Sequence, residues 1–248
     1  MIAIYILWLR QIKRYIRTPS RIIGSLGQPI LFMLAFGMGF SSLYARSGQG
    51  NYIDFIAPGI MAQGIMFTAI FAGVELIFDR QFGFLKETFV APVSRFEIIL
   101  GRCLGGATIA TIQGVLIFFL TLLMGFRPSH LLYLPLALFI MFLIGLFFTS
   151  LGTAIACTMK DFHGFQLIMS YLAMPLFFFS GALFPITNLP YTVQVITNAN
   201  PLSYGVTALR ILLLNSFNSP LLFNSAILIA FSVATLAIAS YLFSKIEL

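Results

Sequence analysis

Charged residues are so sparse in this chain, and so unevenly placed, that the intervals between them decide what it can fold into. Ile22–Ala45 carries no charge for 24 residues, Phe55–Val74 none for 20 and Cys103–Phe126 none for 24. A helix crosses the hydrocarbon core of a bilayer in about 20 apolar residues, so each run has the length of one crossing. Pro128–Met159 is uncharged for 32 residues, with His130 near its start, and Leu221–Ser244 for 24 more. Of the 248 residues, 60% are hydrophobic and 8% charged, and the mean hydropathy is +1.01. A soluble domain carries about 25% charged residues. The composition therefore predicts an all-α, multi-pass integral membrane protein in which 1–248 form one transmembrane domain, with no length left for a soluble catalytic unit.

Gly164–Leu209 is harder to divide, because its 46 uncharged residues are interrupted by Pro175, Pro185, Pro190 and Pro201. One crossing fits, and the remainder is too broken for a second. We expect spans at 22–45, 55–78, 97–126, 131–158, 165–184 and 221–244, with 186–214 forming a shallow re-entrant hairpin of two half-helices before the last span. The positive-inside rule supports that count of six. With both termini cytoplasmic, 11 of the 14 Lys and Arg residues fall inside, and Arg46, Arg127 and Arg210 fall outside. The formal charge of +7 thus reports topology and gives no ground for a nucleic-acid partner. Cys103 and Cys157 both fall in apolar runs and are expected to pack as small hydrophobes.

Residues 1–20 do not have the form of a cleavable signal peptide, since their cations follow the apolar stretch. At 100° per residue, Arg10, Lys13, Arg14, Arg17 and Arg21 share one arc, with Tyr5, Leu9, Ile12 and Ile16 roughly opposite. That pattern predicts an amphipathic helix on the cytoplasmic membrane surface, in contact with lipid. The apolar stretch before the cations is too short for a voltage-sensing span.

The loop between the second and third spans, 79–96, is charged and yet carries Phe82, Phe84, Leu85 and Phe89. Two readings of it stand: a helix lying on lipid headgroups, or a short helix that docks into a partner's groove. The run Asp79-Arg80-Gln81-Phe82-Gly83-Phe84-Leu85-Lys86-Glu87-Thr88-Phe89-Val90-Ala91-Pro92-Val93-Ser94-Arg95 resembles the segment after the second span in permease subunits of type-2 ABC exporters. The resemblance rests on Gly83, Leu85, Glu87, Pro92, Ser94 and Arg95. A second stretch is similar to the fifth span and outer hairpin of that family: Pro175 through Ser180-Gly181 to Pro185, then Pro190, then Asn200-Pro201-Leu202-Ser203-Tyr204-Gly205 and Arg210. The N-terminal helix resembles the family's connecting helix.

The resemblance implies a permease that pairs with a second permease chain, as a homodimer, and is driven by two copies of a cytoplasmic ABC ATP-binding subunit. Phe82, Gly83, Phe84, Leu85, Lys86, Glu87, Pro92 and Arg95 would then form the coupling helix. It also implies a bacterial inner membrane and an amphipathic drug-like, lipid or lipid-linked glycan substrate, with ATP and magnesium held by the partner and no cofactor on this chain. The chain fits that division. A phosphate-binding P-loop needs Gly-Lys-Ser/Thr, whereas the lysines here follow Ile12, Leu85, Met159 and Ser244. Ser25-Leu26-Gly27-Gln28 lies inside the first span, away from nucleotide.

Weaker features add little. Asp161 and His163 are too few ligands for a metal, and Glu75 is expected to pair with Arg80 or Arg102 or to be solvated. Gly101-x-x-x-Gly105 and Ala69-x-x-x-Gly73 permit close helix contact without locating a dimer seam. An intramembrane serine protease needs a histidine base beside its serine, but His130 and His163 both sit at loop ends, away from Ser180. A stand-alone ion-coupled transporter or channel is the remaining alternative; it usually carries ionisable residues in mid-membrane, and the seven acids here lie in loops or near span ends.

Overall fold

The computed structural model describes residues 2–46, 51–185, 190–214 and 220–246; residues 186–189, where the expected hairpin begins, lie outside the described residues. The elements in chain order are α1 (Ile2–Ile16), α2 (Pro19–Arg46), α3 (Tyr52–Ala72), α4 (Val74–Gln81), α5 (Phe84–Val90) and α6 (Arg95–Leu123). A 3-10 turn at Leu131–Tyr133 then leads to α7 (Leu134–Thr158), α8 (Phe162–Phe178), α9 (Tyr191–Ala199), α10 (Pro201–Leu214) and α11 (Leu221–Ser244). The described residues contain no strand.

Among the described residues, five stretches are long and apolar enough to cross a membrane: Pro19–Ser41, Tyr52–Gln81, Arg95–Leu123, Leu131–Thr158 and Leu221–Ser244. They coincide with five of the six expected spans. The expected span 165–184 is realised differently, because α8 has only 17 residues and a crossing takes about 20. It stops where Phe179 ends the helical turns and Gly181 takes a left-handed φ of 72°. Ser180 locks the stop by donating its hydroxyl to the Phe177 carbonyl at 2.6 Å. The coil that follows is buried at Ser180, Gly181, Ala182 and Leu183.

The axis of the bundle is α3, which packs against α2, α6, α7 and α10. Lipid is as apolar as a leucine side chain, so these helices gain little from burial alone and need close van der Waals contact. Small residues supply it. A Cβ on Gly152 of α7 would lie 2.5 Å from the Ile70 carbonyl oxygen of α3, and one on Gly73 would lie 2.6 Å from the Gly152 backbone. Near the other end of α3, a Cβ on Gly59 would meet Ala182 at 2.6 Å, so the buried coil after α8 lies directly on the central helix.

The ends of the bundle are chemically distinct. At one end Asp54 accepts from the Arg127 amide, Ser129 donates to the Leu213 carbonyl at 2.8 Å, and Arg210 donates to the Phe55 and Gly181 carbonyls at 3.2 and 3.1 Å. At the other lie Glu75, Asp79, Arg95, Arg102 and Lys160. Leu183 and Leu213 both belong to the first end, since Tyr52 donates to the Leu183 carbonyl at 2.9 Å. The chain therefore enters and leaves the α9–α10 region on the same side. Asn200, at the bend between those helices, donates to the Leu176 carbonyl at 2.6 Å and accepts from the Leu202 amide. Tyr204 donates to the Asn198 carbonyl at 2.6 Å. Gly205 lies against Ile144 of α7.

Replacing Gly152 by leucine is expected to cost upward of about 1–3 kcal/mol through overpacking. It should abolish a monodisperse peak in size-exclusion chromatography, whereas Gly24→Ala, with nothing within 4 Å of the new methyl, should not lower the melting temperature.

Candidate functional site

The segment from α4 to the start of α6 is built to hold a short helix rigidly outside the apolar spans. Gly83 makes the turn with φ of 80°, a left-handed conformation that favours glycine. The seven-residue α5 follows, and Ala91 returns the chain to extended backbone before Pro92. Ser94 and Glu97 then open α6 with a reciprocal capping box. Within α5 the apolar side chains divide by role. Leu85 is fully buried and Phe89 packs edge-on against Phe243 of α11, with ring centroids 5.4 Å apart. Phe82 and Phe84 project outward, 71% and 49% exposed, beside exposed Lys86, Glu87 and Pro92. Phe82 at the end of α4 and Phe84 at the start of α5 are thus presented on either side of the Gly83 turn, next to a helix whose other face is anchored.

Arg95 lies apart from that exposed face. Its guanidinium sits 4.7 Å from the Phe89 ring centre and donates to the carbonyls of Ser244 at 2.6 Å, Ile246 at 3.2 Å and Phe243 at 3.4 Å. These carbonyls lie at and just beyond the end of α11, where a helix has no internal donors for them. Arg95 therefore fastens the segment that carries α5 to α11.

Above α5, an ionic tier joins four helices. Asp79 of α4 pairs with Arg102 of α6 and with Arg10 of α1, the latter at 3.4 Å. Glu75 pairs with Arg21 of α2 at 3.0 Å and with Arg14 of α1 at 3.8 Å. Glu75, Asp79 and Arg102 are all buried. Of the expected partners of Glu75, Arg80 is replaced by Arg21 and Arg14, while Arg102 lies in the same cluster and takes Asp79 as its direct partner. Arg80 is five residues away, about 140° around the helix, and Arg102 sits one turn further along, at Asp79. Arg21, grouped by sequence with the amphipathic helix, belongs to α2.

The first helix reaches the tier because it packs lengthwise on α6 and is more than a surface float. Gly101 and Gly105 leave a groove where an added Cβ would touch Leu7 at 3.0 Å and Gln11 at 2.8 Å. Trp8 donates its indole N–H to Thr108 at 3.0 Å, and Tyr15 its hydroxyl to Gln113 at 2.8 Å. Burial pushes the Tyr15 phenol above its ordinary pKa, with Arg21 pulling the other way. The small-xxx-small pair on α6 is thus occupied by the chain's own N-terminal helix. One sequence signal for this tier was present: Arg10 and Arg14 are spaced by four residues, as are Glu75 and Asp79.

A cleft of about 400 Å³ opens between Tyr15, α2 and α3. Arg21 lies at one end; Ser25, Gln28 and Thr68 offer hydrogen bonds; Phe67 and Phe71 supply apolar wall. Gln63 also lines it, 1% exposed, and neither atom of its amide finds a partner among the described residues. A buried amide in an apolar span is costly without a partner, so this cleft suits an occupant that combines apolar and hydrogen-bonding groups. No group of three or more acidic, histidine or cysteine side chains suited to a metal occurs among the described residues.

The five long apolar stretches and the chemically distinct bundle ends define a multi-pass, all-helical membrane protein. The chain belongs to the ABC-2 type transporter family, whose sequence model matches residues 2–214. Among its relatives is a protein of Cyanophora paradoxa carrying the name transport permease ycf38, 30% identical over 199 residues that cover 79% of this chain and 69% of that one. Nodulation protein J of Rhizobium leguminosarum biovar viciae is 28% identical over 195 residues, covering 77% and 74% of the two chains. Nodulation protein J of Rhizobium meliloti strain 1021 is 28% identical over 202 residues, covering 79% and 75%.

Asp79→Asn leaves the Arg102 guanidinium buried against a neutral partner and is expected to destabilise the protein by about 3–5 kcal/mol. Asp79→Leu combined with Arg102→Met should recover most of that loss, because neither charge is then stranded. Thermal melting of the detergent-solubilised variants measures both.

Proposed function

We propose that this chain is the membrane-spanning subunit of an ATP-driven exporter, with α5 as the helix that receives the stroke of a separate ATP-binding subunit. Permeases of this family normally work with such a subunit. The observation that carries the reading is the pair of exposed aromatics, Phe82 at the end of α4 and Phe84 at the start of α5, on a turn and short helix tied to α6 and α11 by Asp79, Leu85, Phe89 and Arg95. Interface anchors of this kind fill pockets on a partner, and their rigid mounting passes a push into the spans. ATP and magnesium belong to the partner.

In this reading the end of the bundle that carries Glu75, Arg95, Arg102 and α1 faces the cytoplasm of a bacterium across its inner membrane, with both termini there. It is supported by the segregation of Arg127 and Arg210 to the opposite end. The sixth crossing consists of α8 with the buried coil after it, and α9 with α10 forms a re-entrant hairpin entering from the outer side. Two identical permeases pair with two ATP-binding subunits, and the transported molecule is an amphiphile: drug-like, lipid or lipid-linked glycan. The cleft beside Gln63, with aromatic walls and unsatisfied amide groups, supports a substrate of mixed polarity. A stand-alone ion-coupled mechanism fits less well, because Glu75 and Asp79 are both neutralised by arginines.

Tagged protein drawn from its native membrane in mild detergent is expected to bring down a stoichiometric cytoplasmic ATPase. Phe84→Asp or Glu87→Lys should weaken that association roughly 30-fold, the loss of about 2 kcal/mol typical of an interface anchor, while the permease stays folded. Full partner binding and transport in both variants would refute the role given to α5.

A further inference from the structure

Beside the ionic tier a groove of about 640 Å³ runs between α1 and the α4–α5 segment. One wall carries four cations, Arg10, Lys13, Arg14 and Arg17; the other carries Phe78, Phe82 and Phe84. Asp79 is its only acidic lining residue among the described residues, and that carboxylate is already shared by Arg10 and Arg102. Glu75, just behind, is likewise shared by Arg14 and Arg21. Lys13 and Arg17 are exposed and make no ion pair among the described residues. The groove thus holds a surplus of positive charge above an aromatic wall.

Its position gives that surplus a meaning. In a bilayer laid across the five apolar stretches, the groove falls where those stretches end and the first charges appear, the level at which lipid phosphates lie. Next to it, α1 exposes Ile2, Tyr5, Ile6 and Ile16, an apolar face for acyl chains alongside cations for a headgroup. We infer that this groove binds the phosphate headgroup of an anionic phospholipid from the leaflet at that end of the bundle. The charge surplus selects an anion, and the apolar face selects one that carries chains. The inference rests on the placement of α1 at the membrane boundary and on the cations of α1; Phe82 and Phe84, assigned above to the ATP-binding subunit, only bound the groove on its far side.

The test uses the full-length permease alone, purified in detergent, with phosphatidylglycerol or phosphatidylcholine added and retention read by native mass spectrometry. Phosphatidylglycerol should be retained in preference to phosphatidylcholine. The double substitution Lys13→Gln with Arg17→Gln should weaken its retention roughly 30-fold, at the strength expected per surface cation. Melting should be unchanged, because neither side chain holds an ion pair, and Arg17→Gln alone should show an intermediate loss. Equal retention of the two lipids, or undiminished phosphatidylglycerol in the double variant, overturns the inference. So does displacement by millimolar inorganic phosphate, which would mark a site for free anions. Retained lipid with lost capture of a cytoplasmic ATPase would make the groove a protein-docking surface and also overturn it. Trp8, the single tryptophan, tests the placement of α1 separately. Quenching by brominated acyl chains places the helix at lipid, so its absence refutes the placement, whereas quenching with equal retention of both lipids refutes the headgroup site alone.

Discussion

The contact between Asp79 and Arg102 is the point on which this molecule turns. A carboxylate and a guanidinium are both buried there, at the edge of an apolar bundle, where either one alone would be strongly disfavoured. Once they meet, α4 is held against α6, and the direction in which the chain leaves α4 toward Gly83 and α5 is set. Arg10 and Arg14 then bring α1 onto the same acids, and Arg21 does so for the start of α2. A displacement of α5 therefore reaches the first helix, the first span and the third span through charges that cannot separate cheaply.

A second connection runs through Arg95. Its three carbonyl acceptors belong to the end of α11, so the loop that presents Phe82 and Phe84 is also attached to the last span. Between these two attachments the exposed face of α5 is free of structural duty. The division within one seven-residue helix is chemical: Leu85 and Phe89 hold it down, and Phe84, Lys86 and Glu87 remain available.

Away from the charges, the bundle is assembled by removing side chains. Gly73 and Gly152 bring α7 onto the junction of α3 and α4, Gly59 admits the coil after α8, and Gly101 with Gly105 seats α1. Gly101 with Gly105, and Gly73 with Ala69, were visible as small-residue spacings, but their partners were not, and Gly59 and Gly152 stood outside those pairs. The spacing says that a backbone can approach, and only the packed bundle says which one does. For the same reason Gln63 and Gln113 read as ordinary residues of apolar runs until α2 and α1 were placed beside them.

The sequence by itself determined the membrane character, five of the spans and the sorting of charges, because a helix in hydrocarbon must satisfy its own backbone and exclude charge along its whole length. That requirement acts residue by residue along the chain. The turn at Gly83 and the cap at Ser94 are equally local and were legible as motif positions. The tertiary structure alone decided that Glu75 would meet Arg21 and Arg14 and that Arg95 would close α11. Each of these depends on partners as much as 151 residues apart. Their meeting is set by the fit of whole helices, which no pattern within one segment contains.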